Sequence, residues 1–89
     1  MNTYFIEMIH ATFVVEATDT YCLVNRFLVT AKSPLAAIRK VTRHTGYYAR
    51  KAYSTGEQSR YDANNACVCY FVEQADGNES EHYSRIEVL

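Results

Sequence analysis

The chain has little glycine. Gly46, Gly56 and Gly77 are the only three, and none belongs to a G-x-G-x-x-G or G-x-x-x-x-G-K series, the loops whose bare backbone N–H groups cradle phosphates. Nucleotide-handling enzymes of those types are excluded. No G-x-S-x-G elbow is present. His10, His44 and His82 are scattered along the chain, so no sequence pattern marks a base-activated nucleophile. Cysteine is scarce and odd in number, at Cys22, Cys67 and Cys69, which argues for reduced thiols rather than a disulfide framework. Cys67-x-Cys69 with His82 falls short of the paired ligand units of a closed zinc site. The expectation is three buried, metal-free thiols. No apolar run approaches the roughly 20 residues that span a bilayer, and MNTYFIEMIH lacks the cationic start of an export signal. A soluble, cytoplasmic protein with no cofactor is expected.

Acidic residues are missing from one long interval. Residues 20–56 hold Arg26, Lys32, Arg39, Lys40, Arg43, Arg50 and Lys51 and no acid, a charge of +7. Residues 1–19 carry −3 and residues 57–89 carry −5, so the net charge of −1 conceals strong segregation. If the folded chain keeps the signs apart, it has a positive and a negative side, and that polarity steers association with charged macromolecules.

What is present suits one small folded domain, residues 1–89. Hydrophobic residues make up 48%, with eight tyrosines and four phenylalanines, ample for a core. A chain of this length encloses no large active site, and paired-carboxylate catalysis would need such a cleft. Glu57, Asp62 and Asp76 read as solvated loop residues, and no enzyme activity is expected.

Residues 33–46 predict the one helix. Ser33 suits the N-cap, Pro34 the first helical position, and Gly46 the left-handed residue that ends a helix. Leu35, Ile38, Val41 and Thr45 fall on one side, and Arg39, Lys40 and Arg43 on the opposite arc. Arg43 and His44 complement the dipole in the last turn. Around it, residues 3–17 predict a strand, favoured over a helix through 7–17 because β-branched and aromatic residues dominate. A turn at 18–20 and a strand at 21–30 follow. After the helix come a strand at 47–53, a polar loop at 54–65, and the most apolar strand at 66–73. The Asp-Gly turn at 75–81 and a last strand at 82–89 complete the chain. The fold class is therefore α+β: an antiparallel sheet of four or five strands with one helix on one face, in the order β-β-α-β-β-β. One helix covers one face. Depending on register, the other face keeps residues such as Phe5, Phe27 and Tyr70, a surface for a homodimer or a partner.

The candidate binding residues are Arg39, Lys40 and Arg43 on the helix and Tyr47, Tyr48, Arg50, Lys51 and Tyr53 on the following strand. Cations neutralise phosphates and tyrosine rings stack on unpaired bases, so direct nucleic-acid binding is one reading. The sequence pI near 6.3 speaks against it, since nucleic-acid domains are usually strongly basic. The other reading is a protein or ribonucleoprotein partner, because tyrosine and arginine anchor interfaces. An acidic surface could also mimic phosphate.

The strand TYFIEM (residues 3–8) and the unit FLVTAKSPLAAIRKVTRHTG (residues 27–46) resemble the small accessory proteins of phages and mobile elements, among them anti-CRISPR proteins built as a compact sheet with one helix. The likeness covers about a third of the chain and carries no catalytic residues. It implies stoichiometric inhibition of a host defence complex inside the bacterial cell, by occupying a nucleic-acid or partner surface.

Overall fold

A computed structural model describes residues 1–13, 20–55, 58–63 and 67–89; along 11–13, 20–22, 50–55 and 58–60 the description is of the backbone. In chain order the elements are β1 (Asn2–Phe13), β2 (Thr20–Ala31), α1 (Pro34–Thr45), β3 (Ala49–Thr55), β4 (Gln58–Ala63), β5 (Val68–Gln74), α2 (Glu79–His82) and β6 (Ile86–Val88). The fold is α+β. One six-stranded sheet has the order β3-β4-β5-β1-β2-β6. Each neighbouring pair from β3 to β2 is antiparallel, and β6 runs parallel to β2.

Helix α1 forms as its end residues dictate. Ser33 Oγ accepts the Ala36 N–H at 3.1 Å. Gly46, at φ 83°, takes the left-handed conformation, and its N–H donates to the Thr42 carbonyl. The helix buries Ala37, Ile38, Val41 and Thr42, and Thr42 Oγ1 donates to the Arg39 carbonyl. Leu35, expected inside, is 43% exposed. It stands at the edge of the inward arc, and the small Ala37 on the other side lets the helix lie close to the sheet.

Under α1 lie Tyr4, Ile6 and Met8 of β1, Phe27, Val29 and Ala31 of β2, Tyr61 and Ala63 of β4, and Val68, Tyr70 and Val72 of β5. The registers set these side by side: Ile6 pairs with Phe27 and Val72, and Met8 with Tyr70. Alternation along each strand places them on one face. Phe27 and Tyr70 therefore belong to the helix side, not to the open face on which the sequence reading set them.

Phe5 does lie on the opposite face, but it is covered. Only 2% of it is exposed, because the chain after β5 crosses that face and stacks the Tyr83 ring on it. The crossing also explains β6. Strands β5 and β2 point the same way, and parallel strands require a crossover connection.

Three further expectations change. The segment 54–65, expected as a loop, contains β4 and closes a hairpin with β3 in which Thr55 pairs with Gln58. Among its described side chains Tyr61 and Ala63 meet the core, and its sequence alternation is weak. The turn at 75–81 includes the single helical turn α2, and the strand expected over 82–89 shrinks to Ile86–Val88. Of the strand expected at 3–17, residues 14–17 lie outside the described residues, as do 18 and 19 of the adjacent turn.

Among the described residues no helix is long and apolar enough to cross a membrane, and no group of three or more His, Cys, Asp or Glu is placed to hold a metal. Cys67 is exposed and Cys69 half-buried, against the expected burial. Cys67 precedes β5, and Cys69 falls on the face away from α1. The side chain of Cys22 lies outside the described residues.

Candidate binding surface

Arg39, Lys40 and Arg43 are all exposed on α1. Turning the apolar arc inward forces this, since unpaired buried cations would cost far more than the fold's net stability. The three differ in their engagements. Lys40 Nζ donates to the Thr30 carbonyl at 2.6 Å, which fastens the helix to the outer edge of β2. Arg39 and Arg43 form no ion pair among the described residues.

The opposite face is acidic. Glu7, Asp62 and Glu73 sit on it by register, and Asp76, Glu79 and Glu81 follow on the crossing segment. Glu7 is matched by Arg26, Nε to Oε2 at 3.3 Å; Arg26 Nε makes no hydrogen bond, so the contact is an ion pair. The charge segregation of the sequence survives folding in part: the α1 cations stand on one side of the sheet and Glu7, Asp62 and Glu73 on the other, while Arg26 lies on the acidic side against Glu7 and Glu87 on the helix side against His44.

Tyr47 and Tyr48 follow the helix and behave differently. Tyr48 is exposed. Tyr47 is half-buried: its carbonyl accepts the Tyr70 hydroxyl at 2.7 Å, and its ring meets His10 edge to face at 5.7 Å. The Thr45 hydroxyl lies 2.7 Å from Tyr70 Oη and accepts the Tyr47 N–H at 3.3 Å. Burial pushes the Tyr70 hydroxyl above its ordinary pKa, with the Thr45 hydrogen bond acting the other way. This network fixes how the chain leaves α1. The side chains of Arg50, Lys51 and Tyr53 lie outside the described residues; their backbone belongs to β3, where Lys51 pairs with Asp62 and Tyr53 with Arg60.

Sequence reasoning missed a cleft. It holds about 670 Å³ at the C-terminal end of α1, and its walls include Met8, Asn25, Arg26, His44, Tyr47, Arg85 and Glu87. His44 Nε2 meets the Glu87 carboxylate at 2.9 Å, and the Arg26 guanidinium lies 4.5 Å from the centre of the Tyr83 ring. Arg85 carries φ 60°, left-handed backbone that a non-glycine residue adopts only at some cost. It is the point where the crossing chain turns onto the β2 edge. These residues come from four distant segments, and no local pattern unites them. No family model, curated protein or solved structure matches the chain.

Proposed function

We propose that this chain is a non-enzymatic binding protein that docks the outer face of α1 on an acidic or nucleic-acid-bearing surface of a larger protein or ribonucleoprotein complex. The observation that carries this reading is the pair Arg39 and Arg43, exposed and without ion pairs among the described residues, on the side of the sheet opposite its acidic face. Such polarity orients an approaching partner and raises its association rate. The finer form is an inhibitor carried by a phage or mobile element, which blocks nucleic-acid or partner access to a CRISPR-type defence complex in the host cytoplasm. It is supported by the resemblance of residues 3–8 and 27–46 to such proteins.

Direct nucleic-acid binding is the second reading, favoured by the exposed Tyr48 ring beside the basic helix. Gel-shift titration with short single- and double-stranded DNA and RNA, at two salt concentrations, separates the two. The first reading expects no shift at micromolar protein. Sub-micromolar binding with a steep salt slope would replace it with the second.

A further inference from the structure

The outer edge of β2 is protected along one half only. The Leu28 carbonyl accepts the Leu89 N–H at 2.9 Å, and the Thr30 carbonyl accepts Lys40 Nζ. Backbone groups alternate sides along a strand, so the even residues of β2 face outward. The other side of the ladder agrees: the Thr3 carbonyl accepts the Ala75 N–H, which turns the odd residues of β1 to β5 and leaves its even residues to meet the odd ones of β2. Strand β6 covers β2 only from Arg26 to Leu28. The N–H and C=O groups of Thr20, Cys22 and Val24 therefore face outward with no strand beside them among the described residues.

Natural sheets blunt a free edge with charge, proline or a bulge. The far edge, β3, has Arg50 and Lys51 in its sequence and a register shift between Ala49 and Lys51. Residues 20–25, T-Y-C-L-V-N, have no charge, no proline and no glycine, and they pair with β1 without a bulge. Leu23, on the helix side by register, is 64% exposed where the hairpin runs past the end of α1.

The geometry points to a second copy of this chain as the occupant: two β2 edges pair antiparallel about a twofold axis at Leu23. A self-pairing edge must be complementary to itself, and this one is. In this register Cys22 of each copy faces Val24 of the other, both outward-facing, so they exchange their free N–H and C=O groups as hydrogen-bonded pairs. Leu23 then faces Leu23 in the intervening non-hydrogen-bonded position, where side chains approach most closely, and the exposed leucines cover each other. Pairing ends at Arg26, where β6 begins. The axis stands perpendicular to the sheet, so both α1 helices lie on the same side of one continuous sheet. Their Phe27 contacts are roughly 26 Å apart along the strands, at about 3.3 Å per residue. The dimer thus presents Arg39 and Arg43 twice on one side. It rests on the edge alone, and the failure of the proposed function leaves it standing.

Sedimentation equilibrium of the purified chain tests it. The expected mass is twice the chain's 10.2 kDa, with dissociation at least about 100-fold easier in Leu23→Lys and in Val24→Pro, each checked for a native circular dichroism spectrum. Cross-linking tests the register. With Cys22, Cys67 and Cys69 replaced by serine, Leu23→Cys is expected to give an intermolecular disulfide on mild oxidation, because facing non-hydrogen-bonded Cα atoms lie within disulfide range. Tyr21→Cys in the same background, facing Asn25, is expected to give little. A wild-type chain that stays monomeric at millimolar concentration overturns the proposal, even if it captures an extended peptide from another protein. So does a dimer that Leu23→Lys leaves intact or Leu23→Cys fails to link.

Discussion

The rings of Tyr83 and Phe5 stack with their centroids 5.2 Å apart and their planes 24° from parallel. Nearly eighty residues separate them in the chain. This contact covers Phe5 on the face of the sheet that α1 leaves open, and it draws the C-terminal segment across that face towards the β2 edge.

Tyr83→Ala is expected to destabilise the fold by about 1–2 kcal/mol, the loss of an aromatic pair and of the Arg26 cation–π contact. Tyr83→Phe should be close to neutral, since the ring does the packing. Thermal melts check both: a shift of several degrees for alanine and little for phenylalanine is expected, at roughly 4–8 °C per kcal/mol for a domain this size.

Tyr70→Phe removes the donor to the Tyr47 carbonyl and the partner of the Thr45 hydroxyl. The expected cost is about 1–3 kcal/mol, because a buried acceptor is left without a partner. The same substitution should change the alkaline limb of stability. The folded pKa of Tyr70 is raised, chiefly by burial, so its stabilising effect is whole below the ordinary tyrosine value of about 10 and is lost as pH rises through the folded value. Denaturant midpoints from pH 8 to 11.5 should fall less steeply in Tyr70→Phe than in the wild type.

The acid limb has its own origin. Glu79 is buried and accepts the backbone N–H groups of Asp76 and Gly77 at 3.1 and 3.2 Å. Glu79→Ala is expected to cost about 1–3 kcal/mol, measured by urea unfolding. Hydrogen bonding with Glu79, and then the Asn78 N–H, holds the exposed Asp76 carboxyl below its ordinary range. A depressed folded pKa gives stability that is present above the ordinary carboxylate value and is lost as pH falls through the folded one. Asp76→Asn should remove that part of the loss between pH 4 and 2.

Local chemistry made α1 legible: Ser33, Pro34 and Gly46 fix its ends within the segment itself. Strand β4 was not legible, because its polar residues take their strand identity from pairing with β3 and β5 on either side. Nor could Phe27 and Tyr70 be assigned a face, since a one-residue register shift moves a whole strand's side chains across the sheet. The parallel course of β6 follows from Tyr83 meeting Phe5, a contact no window of sequence contains. At the surface, the cations of α1 could be read from helical periodicity. The cleft beside Arg26, His44 and Arg85 could not, because it exists only where four segments converge.

Lys40 separates structure from binding on the basic face. Its hydrogen bond to the Thr30 carbonyl is exposed, so Lys40→Ala should cost at most about 1 kcal/mol. Arg39→Glu with Arg43→Glu should keep the fold, since neither arginine has an ion pair to lose among the described residues; Arg43→Glu puts an acid in the last turn of α1, so a fall of a few degrees in melting temperature is expected.

That double variant gives the most direct test of the proposed function. The wild-type chain and Arg39→Glu/Arg43→Glu are titrated by biolayer interferometry against immobilised, purified CRISPR-type effector ribonucleoproteins, with target cleavage assayed in parallel. Wild-type binding that blocks cleavage, weakened about 100-fold or more by the double reversal while the circular dichroism spectrum stays native, is the expected result. A folded double variant that binds and inhibits as well as the wild type would contradict the claim for the basic face. A wild-type chain that binds none of the complexes would contradict the inhibitor reading itself.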